Sequence, residues 1–183
     1  MIFTFKIRLQ EISKPPVWRR LQVPAQFTFH RMHQVIQAAF GWDDYHLYSF
    51  SPGGYLSDYQ IAIPGDILDL PTVDPRSKKL SAIFGQEGET FIYEYDFGDS
   101  WMHHMTLEKI SPEKATRAQC VGGKGKCPPE DCGGPWGYAD IKAELATGKP
   151  SKGLRDWLGL KRGETWDPSE FDLDRTNARV KSI

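Results

Sequence analysis

Between Phe91 and Ile110 the chain alternates with a period of two on both sides of a Gly98-Asp99 break, and this constrains the fold more than any other stretch. The first arm is Phe91-Ile92-Tyr93-Glu94-Tyr95-Asp96-Phe97, and the second runs from Trp101 through His103, Met105 and Leu107. Two extended arms so close in sequence imply an antiparallel hairpin. A two-residue turn at Gly98-Asp99 sets Asp96 opposite Trp101 and Glu94 opposite His103. A three-residue loop over Gly98, Asp99 and Ser100 sets Phe97 opposite Trp101, Tyr95 opposite His103 and Glu94 opposite His104. The second register gathers the aromatic residues with His103, Met105 and Leu107 on one face, and Ile92, Glu94, Asp96, Met102, His104, Thr106 and Glu108 on the other. A one-residue slip would mix the faces, so the second register is preferred. It places His103 in the core and His104 within reach of Glu94.

The rest of the chain supplies partners for this hairpin. Phe3, Phe5, Ile7 and Leu9 alternate with polar residues in a half-buried strand, and Val17, Leu21 and Val23 form its return, with Arg19 sharing their parity. Thr28 can cap a helix to Phe40 whose apolar stripe is Phe29, Met32, Val35, Ile36, Ala39 and Phe40, with Gly41 ending it. A strand at His46–Phe50 follows, with Leu47 and Tyr48 as the candidates to pack inward and His46 in a hydrogen-bond network. Residues 55–74 read as loops with short extended pieces. The segment 119–137 reads as a Gly/Pro/Cys-rich loop, followed by short helices at Tyr138–Thr147 and Lys152–Leu158 and a last element at Asn177–Ile183. The expectation is a single α+β domain over 1–183. Its sheet is mixed or mainly antiparallel, with a covering helix in the N-terminal half and short helices near the C-terminus.

Function classes narrow from the same residues. A formal net charge of -1 disfavours an electrostatic nucleic-acid binder. No apolar run reaches membrane-spanning length, so no membrane partner is expected and the location is read as cytoplasmic. Three cysteines are odd in number and too few for a disulfide scaffold. Gly122–Lys126 lacks the full phosphate loop, because Cys127 stands where a hydroxyl is needed, and there is no His-Glu-x-x-His pair. Three weaker chemistries remain. Cys120, Cys127 and Cys132 with a histidine such as His104 offer a tetrahedral zinc site. Asp96, Asp99, His104, Glu130 and Asp131 offer carboxylate and imidazole ligands for another divalent metal, and with it phosphoester or nucleotide hydrolysis. Arg19, Arg20 and Trp18 offer anion or nucleic-acid contacts through guanidinium forks and stacking. Against each stands a scaffold reading: Asp99 capping the hairpin turn, Glu130 and Asp131 bonding loop amides, and reduced cysteines in a loop.

Several stretches together carry a resemblance: Trp18-Arg19-Arg20 within Pro16–Pro24, Ala39-Phe40-Gly41-Trp42 with His46-Leu47, Tyr95-Asp96-Phe97-Gly98-Asp99-Ser100-Trp101 with His103, and Pro128-Pro129-Glu130-Asp131-Cys132-Gly133-Gly134 with Gly137-Tyr138. The chain resembles the plasmid pRiA4b Orf-3-like proteins along most of its length. The resemblance implies an α+β domain found near mobile-element genes and no assigned reaction. The leading expectation is an interaction or accessory domain with a protein partner, for which Trp18, Trp42, Tyr55 and Trp136 are surface candidates. Metal-dependent hydrolysis and nucleic-acid binding are the alternatives.

Overall fold

The computed structural model describes residues 1–54, 57–67 and 70–183. Strands β1 (Ile2–Ser13) and β2 (Pro16–Pro24) form the first hairpin. Helix α1 (Phe29–Phe40) follows, then β3 (Tyr48–Ser51), β4 (Gln60–Ile61), β5 (Thr72–Val73), β6 (Thr90–Tyr95), β7 (Trp101–Ser111) and β8 (Gln119–Lys124). Three helices, α2 (Gly134–Ala146), α3 (Lys152–Trp157) and α4 (Leu173–Val180), complete the chain. Among the described residues the strands make one sheet in the order β5-β4-β3-β6-β7-β1-β2-β8. All neighbours are antiparallel except β4 and β5. The fold is therefore α+β with a mixed, mostly antiparallel sheet, an N-terminal-half helix and short C-terminal helices.

The binary pattern explains which face is covered. Phe3, Phe5, Ile7 and Leu9 on β1, Val17, Leu21 and Val23 on β2, Tyr93 and Tyr95 on β6, and Trp101, Met105 and Leu107 on β7 are all buried. They meet the buried stripe of α1, where Phe29 packs on Phe50, Phe84 and Phe91. Each such side chain contributes on the order of 1.5–3 kcal/mol, so burial holds α1 in place and polar bonds orient it. Thr28 caps α1 by accepting from the Arg31 amide, and Gly41 closes it at φ 89°, the left-handed conformation that glycine adopts without strain. His33 and Gln37 are also buried on α1. Both reach the Tyr93 hydroxyl, at 2.8 and 2.9 Å, while His33 Nε2 lies 2.7 Å from Asp44.

Several expectations change. The central hairpin pairs Tyr95 with Trp101, Tyr93 with His103 and Ile92 with His104, so its loop is the five residues Asp96–Ser100. The register differs from the expected one by two residues, which preserves the faces and moves His104 away from Glu94. The cause lies in the loop. Asp96 and Ser100 both adopt positive φ, 56° and 53°, and the Asp96 carboxylate accepts from the amides of Gly98 and Asp99. Of the two inward candidates before Phe50, Tyr48 is buried and Leu47 is exposed. The 119–137 segment is not loop throughout: β8 pairs with β2, and Asn177 clasps it by bonding the Cys120 amide and carbonyl. Helix α2 starts at Gly134, and α4 starts at Leu173.

Candidate metal centre

Antiparallel pairing of β3 with β6 places the start of one strand beside the end of the other. His46, just before β3, therefore lies near Asp96, just after β6, and the Asp96 amide extends the ladder to Leu47 O at 2.9 Å. A third segment, between β8 and α2, is fastened over this end. Trp42 Nε1 donates to Pro128 O at 2.9 Å. Glu130 Oε1 accepts from the Asp43 amide and the Tyr95 hydroxyl, at 2.9 and 3.0 Å. Gly133 N donates to Asp99 Oδ2 at 3.1 Å. Two glycines permit the close approach. A Cβ on Gly137 would stand 1.9 Å from Cys132 O, and one on Gly134 would stand 2.6 Å from Asp99 O.

These fastenings present Asp131 to His46 and Asp96. One ligand atom from each of the three lies within 4.8 Å of the other two. His46 Nε2 is 3.0 Å from Asp131 Oδ1 and 3.6 Å from Asp96 Oδ2. It is enclosed yet aligned in a hydrogen bond with neither. Two ligands of one first-row ion, each at roughly 2.1 Å, stand roughly 3.0–3.5 Å apart, which the two separations from His46 approach, while the group as a whole spans up to 4.8 Å. Asp96 and Asp131 hold left-handed backbone at φ 56° and 53°, a conformation uncommon outside glycine. Asp96 is buried, while the Asp131 side chain is 68% exposed, so the cluster opens to solvent on that side. Beside it, burial pushes the Glu130 carboxyl above its usual range, and its second oxygen is buried without a partner among the described residues. A cavity of about 430 Å³ adjoins Glu130 and Trp42, and Arg19, Lys126, Arg175 and Arg179 line it. Lys126 and Arg175 are paired with Glu170, whereas Arg179 has no carboxylate within ion-pair distance among the described residues.

The residues singled out from the sequence separate accordingly. Asp96 and Asp131 join the cluster; Asp99 and Glu130 support it. It is Asp96, not Asp99, that caps the hairpin turn. His104 is exposed on β7 beside Thr106 and outside the cluster. Among the described residues, Cys120, Cys127 and Cys132 do not converge with a histidine. Cys120 and Cys132 turn their thiols to the carbonyls of Gly122 and Gly134, and burial pushes the Cys132 thiol up to about 12, which opposes thiolate formation. Arg19 points inward, donating to the carbonyls of Ala39, Trp18 and Lys124 between the Phe40 and Phe171 rings. Arg20 is forked onto Glu108, and Trp18 lies under Lys6 and Arg20. These contacts engage Nε and one terminal nitrogen of each guanidinium and the Trp18 ring within the protein. Sequence alone places His46 in a hydrogen-bond network; the β3–β6 pairing is what sets it beside Asp96.

The sequence model of the plasmid pRiA4b ORF-3-like protein family matches residues 1–175. The chain belongs to this family. It is 36% identical over 186 residues to the uncharacterized protein y4hQ of Sinorhizobium fredii (strain NBRC 101917 / NGR234), across 100% of this chain and 92% of that protein. The crystal structure of a protein of unknown function, MM3350 from Methanosarcina mazei Go1, superimposes with a TM-score of 0.81 at 34% identity, covering 95% of each chain. Neither relative carries an assigned activity, so family membership supports the fold and leaves function to the geometry of the site. No helix among the described residues is long and apolar enough to cross a membrane.

Proposed function

We propose that the chain binds one divalent transition-metal ion through His46 Nε2, Asp96 and Asp131, and uses it to hydrolyse an anionic substrate of the phosphoester class. The observation that carries this reading is the convergence of three ligand atoms, from three separate segments, within 4.8 Å of one another. One imidazole and two carboxylates suit manganese or zinc better than a calcium cage. Three protein ligands would leave an ion open to water and substrate, and a bound ion would supply Lewis acidity for phosphoester hydrolysis. Glu130, next to Asp131 in sequence, is held at this edge of the site by the Asp43 amide and the Tyr95 hydroxyl. Arg179, in the adjoining cavity, supports the choice of an anionic substrate.

Elemental analysis of untagged protein, followed by bis(p-nitrophenyl) phosphate turnover with added Mn²⁺ or Zn²⁺, tests both parts. The expected result is about one ion per chain, lost in Asp96→Asn and Asp131→Asn, with turnover falling about 100-fold or more in those variants. Stoichiometric metal with no turnover on any phosphoester would retain the binding role and remove the catalytic one. Protein that takes up neither ion would remove both.

A second reading, as a partner-binding domain, is favoured by Trp136, which is 82% exposed beside Pro135, Ala139 and Glu11. Of the other surface candidates, Trp42 is buried against Tyr95 and Trp101, because its indole fastens the Pro128 segment. Trp18 is half-buried, and Tyr55 lies outside the described residues. The partner role then rests on Trp136. Trp136→Ala should abolish capture of a co-purifying protein without changing the fold.

A further inference from the structure

We infer that a cavity on the opposite face of β6 from the tyrosines binds an organic ammonium ion. Tyr93 and Tyr95 face α1, so Glu94 faces the other way. Ser49 is its direct partner across the β3–β6 pair, and Gln60 on β4 shares that face because Ile61 pairs with Phe50. These three side chains form the floor, and all are deeply buried, at 3% exposure for Ser49, 2% for Gln60 and 4% for Glu94. Asp66, Ile67, Leu70 and Phe97 complete a cavity of about 430 Å³.

The polar atoms of this cavity are mostly acceptors. Glu94 accepts from the Ser100 hydroxyl at 3.1 Å and has no ion-pair partner among the described residues. The Gln60 amide group donates to Gly54 O and Ser57 O, at 3.0 and 3.2 Å, and its own oxygen is buried with no donor among the described residues. Asp66 adds a second carboxylate, and no lysine, arginine or histidine lines the space among the described residues. A buried carboxylate whose one donor is a neutral hydroxyl, beside a buried amide oxygen with none among the described residues, is costly unless something supplies N–H groups and positive charge. A primary ammonium supplies three donors on one charged atom. The volume falls in the range of small-molecule sites and far exceeds a bare ion, and Ile67, Leu70 and Phe97 offer a wall for a hydrocarbon arm.

The test titrates ¹⁵N-labelled protein with hexylammonium chloride, using hexan-1-ol as the uncharged match and calcium chloride as the bare cation. Hexylammonium should bind saturably, shifting the amides of Ser49, Gln60 and Glu94, at least about tenfold more tightly than hexanol. Glu94→Gln, which preserves size and the Ser100 contact, should weaken binding about tenfold or more. Asp66→Asn, at the rim, should weaken it several-fold and serves if the Glu94 variant fails to fold. Equal affinity for hexanol, unchanged affinity in the folded variants, or tighter binding of calcium at the same amides would overturn the proposal.

Discussion

At the scale of single residues, two positions decide the most. Gly137 has no room for a methyl group, since its Cβ would press on Cys132 O, a backbone atom in the segment that presents Asp131. Gly148 is a useful contrast, because it has a positive φ of 70° but nothing within 4 Å of a Cβ. Gly137→Ala should cost roughly 3 kcal/mol or more, and Gly148→Ala about 1 kcal/mol. Thermal melts should then fall by roughly 6–12 °C and 2–4 °C respectively for a chain of this size. The second position is His103, whose buried imidazole donates from Nδ1 to Trp101 O and whose pKa burial lowers from 6.5 to about 3. As pH falls below 6.5 the unfolded chain takes up this proton and the folded chain does not, so stability declines through the window down to about 3. Glu94 and Glu130, pushed up by burial, act in the opposite direction near their own range, so the informative quantity is a difference. Urea melts at pH 7.5 and 4.5 should show wild type losing roughly 2–3 kcal/mol more than His103→Phe over that interval. Equal losses in the two proteins would mean that His103 does not titrate as its burial requires.

At the scale of elements, the period-two arms and the capped helix are local patterns, which is why both could be read from sequence. Parity identified every core position of β6 and β7, and Thr28 and Gly41 bounded α1. The length of the hairpin loop could not be read, because it depends on Asp96 and Ser100 entering left-handed conformations that side chains usually avoid. Edge strand β8 was hidden for a related reason. Gly122 and Gly123 resemble loop residues in composition, yet Gly123 is there because the Phe171 ring leaves no space for a Cβ. Arg19 is where element packing can be tested. Its guanidinium joins β2 to the last turn of α1 and to β8, through carbonyls that would lose their donor. Arg19→Met should cost roughly 2–4 kcal/mol by urea denaturation. It should also speed amide exchange selectively in the last turn of α1 and in β8. A loss under about 1 kcal/mol would show that the aromatic sandwich alone holds these elements.

At the scale of the whole molecule, the candidate centre draws on three segments far apart in sequence, joined only when β3 pairs with β6 and the Pro128–Gly134 segment is fastened over them. Asp96 and Asp131 were legible as candidate ligands from their chemistry. His46 was not, because nothing local separates a ligand histidine from one in a scaffold network. His104 attracted attention through a register two residues out. A ligand held by three segments of the folded chain binds the folded state alone. An ion at 100 times its Kd should therefore stabilise the protein by about 2.7 kcal/mol, and Asp131→Asn should remove that gain. The most direct test of the centre is a crystal structure of the protein soaked in manganese chloride, with data collected to locate manganese by its anomalous signal. The account predicts one strong peak bonded to His46 Nε2, an Asp96 oxygen and an Asp131 oxygen, at about 2.0–2.2 Å each. A peak at another set of residues, or none in crystals that diffract well, would contradict it.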